Sequence, residues 1–351
     1  MKPVRLGIIG CGVIGNHHLE AANDSPLAEL VAAADLIEER VGAAAEKYGV
    51  TAYPNDEELL KDERIEAVVL AMPTGDRTPV AFKALDAGMH VLLEKPVAGR
   101  AEDVEKMIAM RGDRVVACCS PRMAFTGHAL AAAECAASGV LGDIRMVRIR
   151  AVLPAGPEPN PDPPPWRESM ARNGGGILVN WSCYDLDYLM QILAWRLKPR
   201  TVLARWWRPG EKMSAYVAPG SDADAHYVAL ILCEDDITLS MERAEFSSAT
   251  ADQAWEIIGT EASLHMPMRP QEGKPTTVVL DRFVPGEGVV SDTLWKEGDP
   301  DPADNVLDDF LRTIREGGEP KTGLEHALVM QRITDAIYAS AQSATSVSVP
   351  Q

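Results

Sequence analysis

The chain reads as an α/β protein in two parts. The N-terminal part is a doubly wound parallel sheet, and the C-terminal part is an α+β domain with a mostly antiparallel open sheet. Three observations predict this. Continuous apolar runs alternate with helical spacing through the first 120 residues, as in a parallel sheet covered on both faces. A glycine-punctuated turn, Gly10-Cys11-Gly12-Val13-Ile14-Gly15, joins the first run to the first helix. After Pro121 the runs alternate apolar with polar residues and are separated by turns. The length of 351 residues suits two domains, placed at 1–120 and 121–351, and 46% apolar residues suffice for two cores.

In the first part, residues 6–9 suit a buried strand, and Val13, Ile14, His17, His18 and Ala21 space like the helix that follows. Strands are expected at 30–34, 67–71, 90–93 and 114–119, with helices at 38–48, 56–62, 78–87 and 101–110. Two loops leave the carboxyl ends of strands, Met72-Pro73-Thr74-Gly75 and Glu94-Lys95-Pro96. Ligands of such sheets bind beyond those ends. In the second part a helix is expected at 127–138. A strand over 144–152 turns Val147, Ile149 and Ala151 to one face, with Arg148 and Arg150 on the other. A proline-rich loop fills 154–165, and a helix is expected at 180–194. Strands follow at 201–207, 227–232, 237–241, 255–258 and 276–280, and closing helices at 306–316 and 324–342.

The net charge of −18 argues against nucleic acid or an anionic membrane as partner. No apolar run is long enough to span a bilayer, and Gly7, Gly10 and Gly12 break any secretory leader. The six cysteines form no C-x-x-C and read as reduced packing residues of a cytoplasmic protein. The histidines show no H-x-x-x-H or H-E-x-x-H pattern, so no metal site is expected.

A strand feeding a helix through three glycines is the setting of a dinucleotide site. Gly10 allows the tight turn, Gly12 lets a pyrophosphate approach the backbone, and Gly15 lets helix and strand pack closely. The helix N-terminus offers N–H groups and partial positive charge. Asp35 lies twenty residues beyond Gly15, at the end of an apolar run. An acid there accepts from a ribose hydroxyl and repels a 2′-phosphate, favouring NAD over NADP. It equally suits capping of the helix near Ile37. The expected cofactor contacts are Gly10, Gly12, Val13, Ile14, Gly15 and Asp35, with Pro73, Thr74, Glu94 and Lys95 from the two loops.

Lys95 follows a buried strand on that side of the sheet, where an ammonium can hold a substrate oxygen; a surface pair with Glu94 is the plain alternative. After Gly174-Gly175-Gly176, the spacing of Asn180, Tyr184 and Asp187 puts an amide, a phenol and a carboxylate on one helix face. The glycines permit close approach of backbone to a ligand. Capping by Asn180, with Tyr184 and Asp187 bonded inside the fold, is the structural alternative. Arg122, Trp166, Arg167 and Asn180 are candidate substrate contacts, because arginine and tryptophan suit hydroxyl-rich or carboxylated ligands. Trp206, Trp207, Trp255 and Trp295 suit core or subunit contacts.

The chain resembles the Gfo/Idh/MocA family (glucose-fructose oxidoreductase, inositol dehydrogenase, rhizopine catabolism) over nearly its whole length. The resemblance rests on residues 10–15, Asp35, residues 84–91, Glu94-Lys95-Pro96, Trp166-Arg167, residues 174–187, Gly259-Thr260 and residues 336–340. It implies an N-terminal Rossmann domain, a C-terminal open sheet used for homodimers or homotetramers, and NAD(P)-dependent chemistry on sugars, cyclitols and related compounds. Where many members carry Asp and His after the glycines, this chain has Asn180 and Tyr184, and tyrosine there also occurs in some relatives. A family histidine after the Pro73 loop is replaced by Arg77.

The expected mechanism is hydride transfer between nicotinamide and a secondary alcohol or ketone, with Lys95 and Tyr184 at the reacting oxygen. A free phenol titrates near 10, and a neighbouring ammonium favours its ionised form. Two other classes fit the sequence. One is an NAD-dependent lyase or glycosidase using Asp187 or His128 as an extra base. The other is a dinucleotide sensor without chemistry.

Overall fold

A computed structural model describes residues 2–271 and 273–351. The chain divides into two compact units. One holds the chain up to Ser120 together with Asp304–Gln331, and the other holds Pro121–Ala303 and Arg332–Gln351.

The first unit runs β1 (Val4–Ile9), α1 (Val13–Asp24), β2 (Ala28–Ala34), α2 (Glu38–Tyr48), β3 (Thr51–Tyr53), α3 (Asp56–Leu59), β4 (Ala67–Leu70), α4 (Thr74–Asp86), β5 (His90–Leu93), α5 (Ala101–Met110) and β6 (Val116–Cys118). The strands form one parallel sheet in the order β3-β2-β1-β4-β5-β6. Leu6, Ile8, Val68, Val69, Leu70, Val91, Leu92 and Leu93 are fully buried, which is why these strands read as unbroken apolar runs. The strand order reverses between β1 and β4, so a crevice opens beyond their carboxyl ends.

The second unit carries α6 (Gly127–Ala137), β7 (Ile144–Pro154), α7 (Met170–Asn173), α8 (Ile177–Ile192), β8 (Pro199–Trp207), β9 (His226–Cys233), β10 (Thr238–Ser247), β11 (Asp252–Gly259), β12 (Ala262–Met266), β13 (Thr277–Val284) and β14 (Gly288–Lys296). Next, α9 (Val306–Glu316) returns to the first unit. The helix α10 (Leu324–Ser343) and the short β15 (Val347–Ser348) end the chain. The expected boundary after residue 120 places residues 304–331 with the second half, and the structure does not. They belong to the first unit because Arg315 of α9 binds Glu66 at 3.0 Å, and Cys118 donates to the Thr322 carbonyl at 3.0 Å.

The second sheet has the order β14-β13-β12-β11-β7-β10-β9-β8-β15 and is antiparallel except where β7 meets β10. Val147, Ile149 and Ala151 are buried on the face covered by α6 and α8. On the other face, register aligns Leu203, Leu230, Ser240, Arg148, Glu256 and His265 in a row across the strands. Its middle is a ladder of ion pairs, Arg148–Glu256 at 2.6 Å and Arg150–Glu242 at 3.1 Å. Strands β12 and β14 were not anticipated. β14 is an edge strand with no fully buried side chain, so its apolar signal is weak.

One buried polar knot fastens α8 to this sheet. Arg243 of β10 donates twice to Asp185, at 2.8 Å each, and the Trp255 indole donates to the same carboxylate at 2.8 Å. Asp185 is fully buried and Arg243 is 2% exposed, so neither charge has water to fall back on. Removing one partner strands the other. Arg243→Ala is expected to lower stability by about 3–5 kcal/mol, read from urea unfolding.

Candidate active site

The glycine turn is built by steric necessity. Gly10 has φ +97°, and a β-carbon there would press on the Ala71 carbonyl of the neighbouring turn after β4. A β-carbon on Gly15 would collide with the Gly10 carbonyl. Gly12 differs: a β-carbon there would meet only the Arg40 guanidinium, at 3.9 Å. Gly12 is also the N-cap of α1 and offers no side chain to satisfy the first N–H groups. The space above Gly12 and the open N-terminus of α1 fit a pyrophosphate.

Asp35 caps the start of α2, as its alternative reading expects, and it also braces the glycine turn. One oxygen accepts from Cys11 N–H at 2.7 Å, bracing the turn. The other accepts from Ile37 N–H at 2.8 Å, at the start of α2. Among the described residues of this unit, the exposed large apolar side chains are Val13, Ile14, Leu36 and Ile37. All four flank the turn or Asp35, where a dinucleotide would cover them. Arg40 carries a cation to this edge, which sequence spacing did not reveal.

The two loops at the carboxyl edge are tied together. Arg77 is 1% exposed; it donates to the Met72 carbonyl at 2.7 Å and also to the Pro96 carbonyl. Pro73 and the buried Thr74 begin α4, four residues before the expected start. Glu94 is buried, with Oε1 2.8 Å from His18 Nε2 and Oε2 accepting from Lys95 N–H at 3.1 Å. Cys119 joins them, the three ligand atoms lying within 4.8 Å of one another. The bonded His18–Glu94 pair fixes the carboxylate under Lys95, which is half-buried. All six cysteines are buried and none forms a disulfide.

In the second unit, α8 starts at Ile177 rather than Asn180. The reason is Asp224, whose carboxylate accepts from Gly176 N–H at 2.9 Å and Leu178 N–H at 2.8 Å. No local signal announces a cap that lies so far along the chain. The glycines also have a different use from the one expected. A β-carbon on Gly175 would strike the Tyr338 hydroxyl, and one on Gly176 would strike the Asp224 backbone. They make room for protein groups, and Tyr338 in turn donates to Asp224 at 2.6 Å.

Asn180, Tyr184 and Asp187 are all buried on α8, Tyr184 being 6% exposed. Asn180 donates to the Arg167 carbonyl at 3.2 Å and accepts from Asn173 at 3.1 Å, so it clamps the end of the proline loop. Arg122 Nη1 donates to the Tyr184 hydroxyl at 3.3 Å, bringing a guanidinium to the phenol. Trp166 is half-buried. Arg167 pairs with Glu168 at 2.8 Å and Glu245 at 2.6 Å. His128 is buried between the Tyr188 and Trp295 rings, with Nε2 3.2 Å from the Met268 carbonyl, and burial pulls its pKa down.

The Arg167 cluster holds two carboxylates and one guanidinium. Burial pushes Glu168 up to about 7 and also raises Glu245, although Arg167 opposes both shifts. In the folded chain Glu168 therefore keeps its proton at pH values where the unfolded chain has released it. Stability contributed by that proton falls as pH rises from about 4.5 to about 7. Glu168→Gln is expected to flatten this slope, worth about 2 kcal/mol, in thermal unfolding followed from pH 5 to 8.

Residues 4–119 match the oxidoreductase family described as having an NAD-binding Rossmann fold, and residues 129–265 match the GFO/IDH/MocA C-terminal domain. The chain is 28% identical to dTDP-3,4-didehydro-2,6-dideoxy-alpha-D-glucose 3-reductase of Streptomyces violaceoruber, over 58% of this chain and 59% of that protein. It is 30% identical to myo-inositol 2-dehydrogenase of Thermotoga maritima, over 54% and 55%. The matches thus span little more than half the length of these curated relatives. The structure of levoglucosan dehydrogenase with NADH and levoglucosan has a TM-score of 0.83 at 21% identity, covering 100% of both chains. That likeness is one of fold. With both halves matched, the chain belongs to the GFO/IDH/MocA oxidoreductase family.

Proposed function

We propose that the protein is an NAD-dependent dehydrogenase or reductase acting on a CH–OH group of a sugar, polyol or glycoside. The observation that carries this is the open N-terminus of α1 above Gly12, ringed by exposed Val13, Ile14, Leu36 and Ile37 beside Asp35. Relatives named as an inositol dehydrogenase and a deoxysugar reductase support the substrate class.

Gly10, Gly12 and Gly15, with Val13 and Ile14, would hold the pyrophosphate end of the cofactor, and Asp35 its ribose. When bound, the nicotinamide supplies the hydride acceptor for the substrate carbon. The rest falls to this chain's side chains. Tyr184 takes the hydroxyl proton during oxidation and returns it during reduction. Lys95 and Arg122 offer positive charge to the alkoxide that develops. Glu94, held by His18, positions Lys95. Asn180 cannot transfer a proton; it fixes the loop end that carries Trp166 and Arg167. The strip of Leu203, Val228, Leu230 and Leu232 exposed on the second sheet suits a homodimer or homotetramer.

Incubating the protein with NAD and a panel of sugars and polyols tests the reading, with reduced nicotinamide followed by absorbance and products by mass. Accumulating NADH is expected; cleavage without NADH would mean a lyase, and binding alone a sensor. Tyr184→Phe and Lys95→Ala should each lower kcat by about 100-fold or more while NAD affinity stays within about threefold. Near-normal turnover in both would remove the proposed roles. Replacing Asp35 with Ser should shift the ratio of NAD to NADP efficiency by about tenfold or more toward NADP.

A further inference from the structure

The segment after β12 reads Pro267-Met268-Arg269-Pro270. It is held from two helices. Tyr188 of α8 donates to the Pro267 carbonyl at 3.0 Å, and His128 of α6 binds the Met268 carbonyl at 3.2 Å. The Met268 side chain is fully buried. Arg269 is therefore presented from a fixed backbone, and its guanidinium carbon lies 4.6 Å from the centre of the Trp181 ring. The same indole lies 5.6 Å from the Tyr184 ring, so the phenol and this guanidinium flank one aromatic side chain.

The charge balance around Trp181 is uneven. Arg243 also sits against the ring, at 5.3 Å, but its Nε/Nη2 edge is spent on a bidentate pair with Asp185. Among the described residues Arg269 makes no ion pair and no hydrogen bond. It is half-buried; burial and the nearby Arg243 disfavour its charge, opposed in part by the Asp185 carboxylate that Arg243 already engages. The overall charge is −18, so carboxylates to quench it were plentiful. A preorganised guanidinium that no described carboxylate contacts directly, beside the proposed proton-transfer group, is an anion receptor. A single planar fork balances the one charge of a carboxylate, whereas a phosphate monoester, which the same fork could grip, brings close to two charges to a single cation.

Resting on the dehydrogenase reading above, we infer that Arg269, stacked on Trp181, binds a carboxylate of the substrate, so that the preferred substrates are sugar acids rather than neutral sugars. Trp181 gives the sugar ring an apolar surface and holds the guanidinium in orientation.

The test compares D-glucuronate and D-gluconate with D-glucose and myo-inositol, and with D-glucose 6-phosphate, in steady-state assays of the full chain with NAD. The best acid should exceed the neutral compounds in kcat/KM by about tenfold or more. In Arg269→Ala the acid-to-neutral ratio should fall by about 30-fold, mainly through KM, and Arg269→Lys should restore part of it. A ratio unmoved by Arg269→Ala, or a preference for neutral or phosphorylated sugars, would overturn the inference while leaving the dehydrogenase reading intact. Calorimetric titration of D-glucuronate into the NADH-loaded protein separates the two claims. Saturable binding that disappears in Arg269→Ala, without turnover of any compound, would sustain the carboxylate site and sink the dehydrogenase. Absence of both binding and acid preference would end the inference.

Discussion

The first unit depends on one contact between two pieces of backbone. The Gly10 carbonyl occupies the place where a side chain at residue 15 would begin, and the residue-71 carbonyl occupies the place beside Gly10. Any larger residue at either position would push α1 off β1 or separate the turns after β1 and β4. Because the strand order reverses between those two strands, the same contact shapes the crevice in which a dinucleotide can lie. Asp35 finishes the arrangement by bracing Cys11 with one oxygen and the start of α2 with the other. The carboxylate proposed for the ribose is thus held in position by the fold's own N–H groups.

The second unit solves a similar problem with a side chain. Asp224 reaches across to the N-terminus of α8, and the tight fit of Gly175 and Gly176 lets it arrive. This sets the register of α8, and with it the inward direction of Asn180, Tyr184 and Asp187. Farther along the helix, Asp185 fastens it to Arg243 and Trp255, and Tyr188 fastens it to the loop bearing Arg269. One helix therefore connects the sheet, the proline-loop end and the polar groups proposed for chemistry.

The parallel sheet was legible because its strands are buried on both faces and read as unbroken apolar runs. The glycine turn and Asp35 were legible because their residue types stand at a fixed spacing between strand and helix. The β7 alternation was legible for the same reason, one face being dry and the other an ion-pair ladder. What escaped was set by partners distant in sequence. The start of α8 depends on Asp224, the Arg77 tie joins two loops, and the His18–Glu94 pair with Cys119 gathers three segments. Arg269 carried no local signal at all. Its place against Trp181, with no ion pair to a described carboxylate, appears only after folding. The glycines before α8 were recognised as a site of close approach, but the approaching groups are Tyr338 and Asp224.

Gly12 separates the fold's needs from the ligand's. Its φ of −72° is open to any residue, and a β-carbon there meets only Arg40 at 3.9 Å, so the backbone does not require glycine at that position. Only a ligand does. Fluorescence titration of NADH against Gly12→Val, with thermal unfolding run alongside, isolates that requirement. The account predicts an unchanged unfolding temperature and affinity weakened by about 30-fold or more. Undiminished NADH affinity in a folded Gly12→Val protein would contradict it.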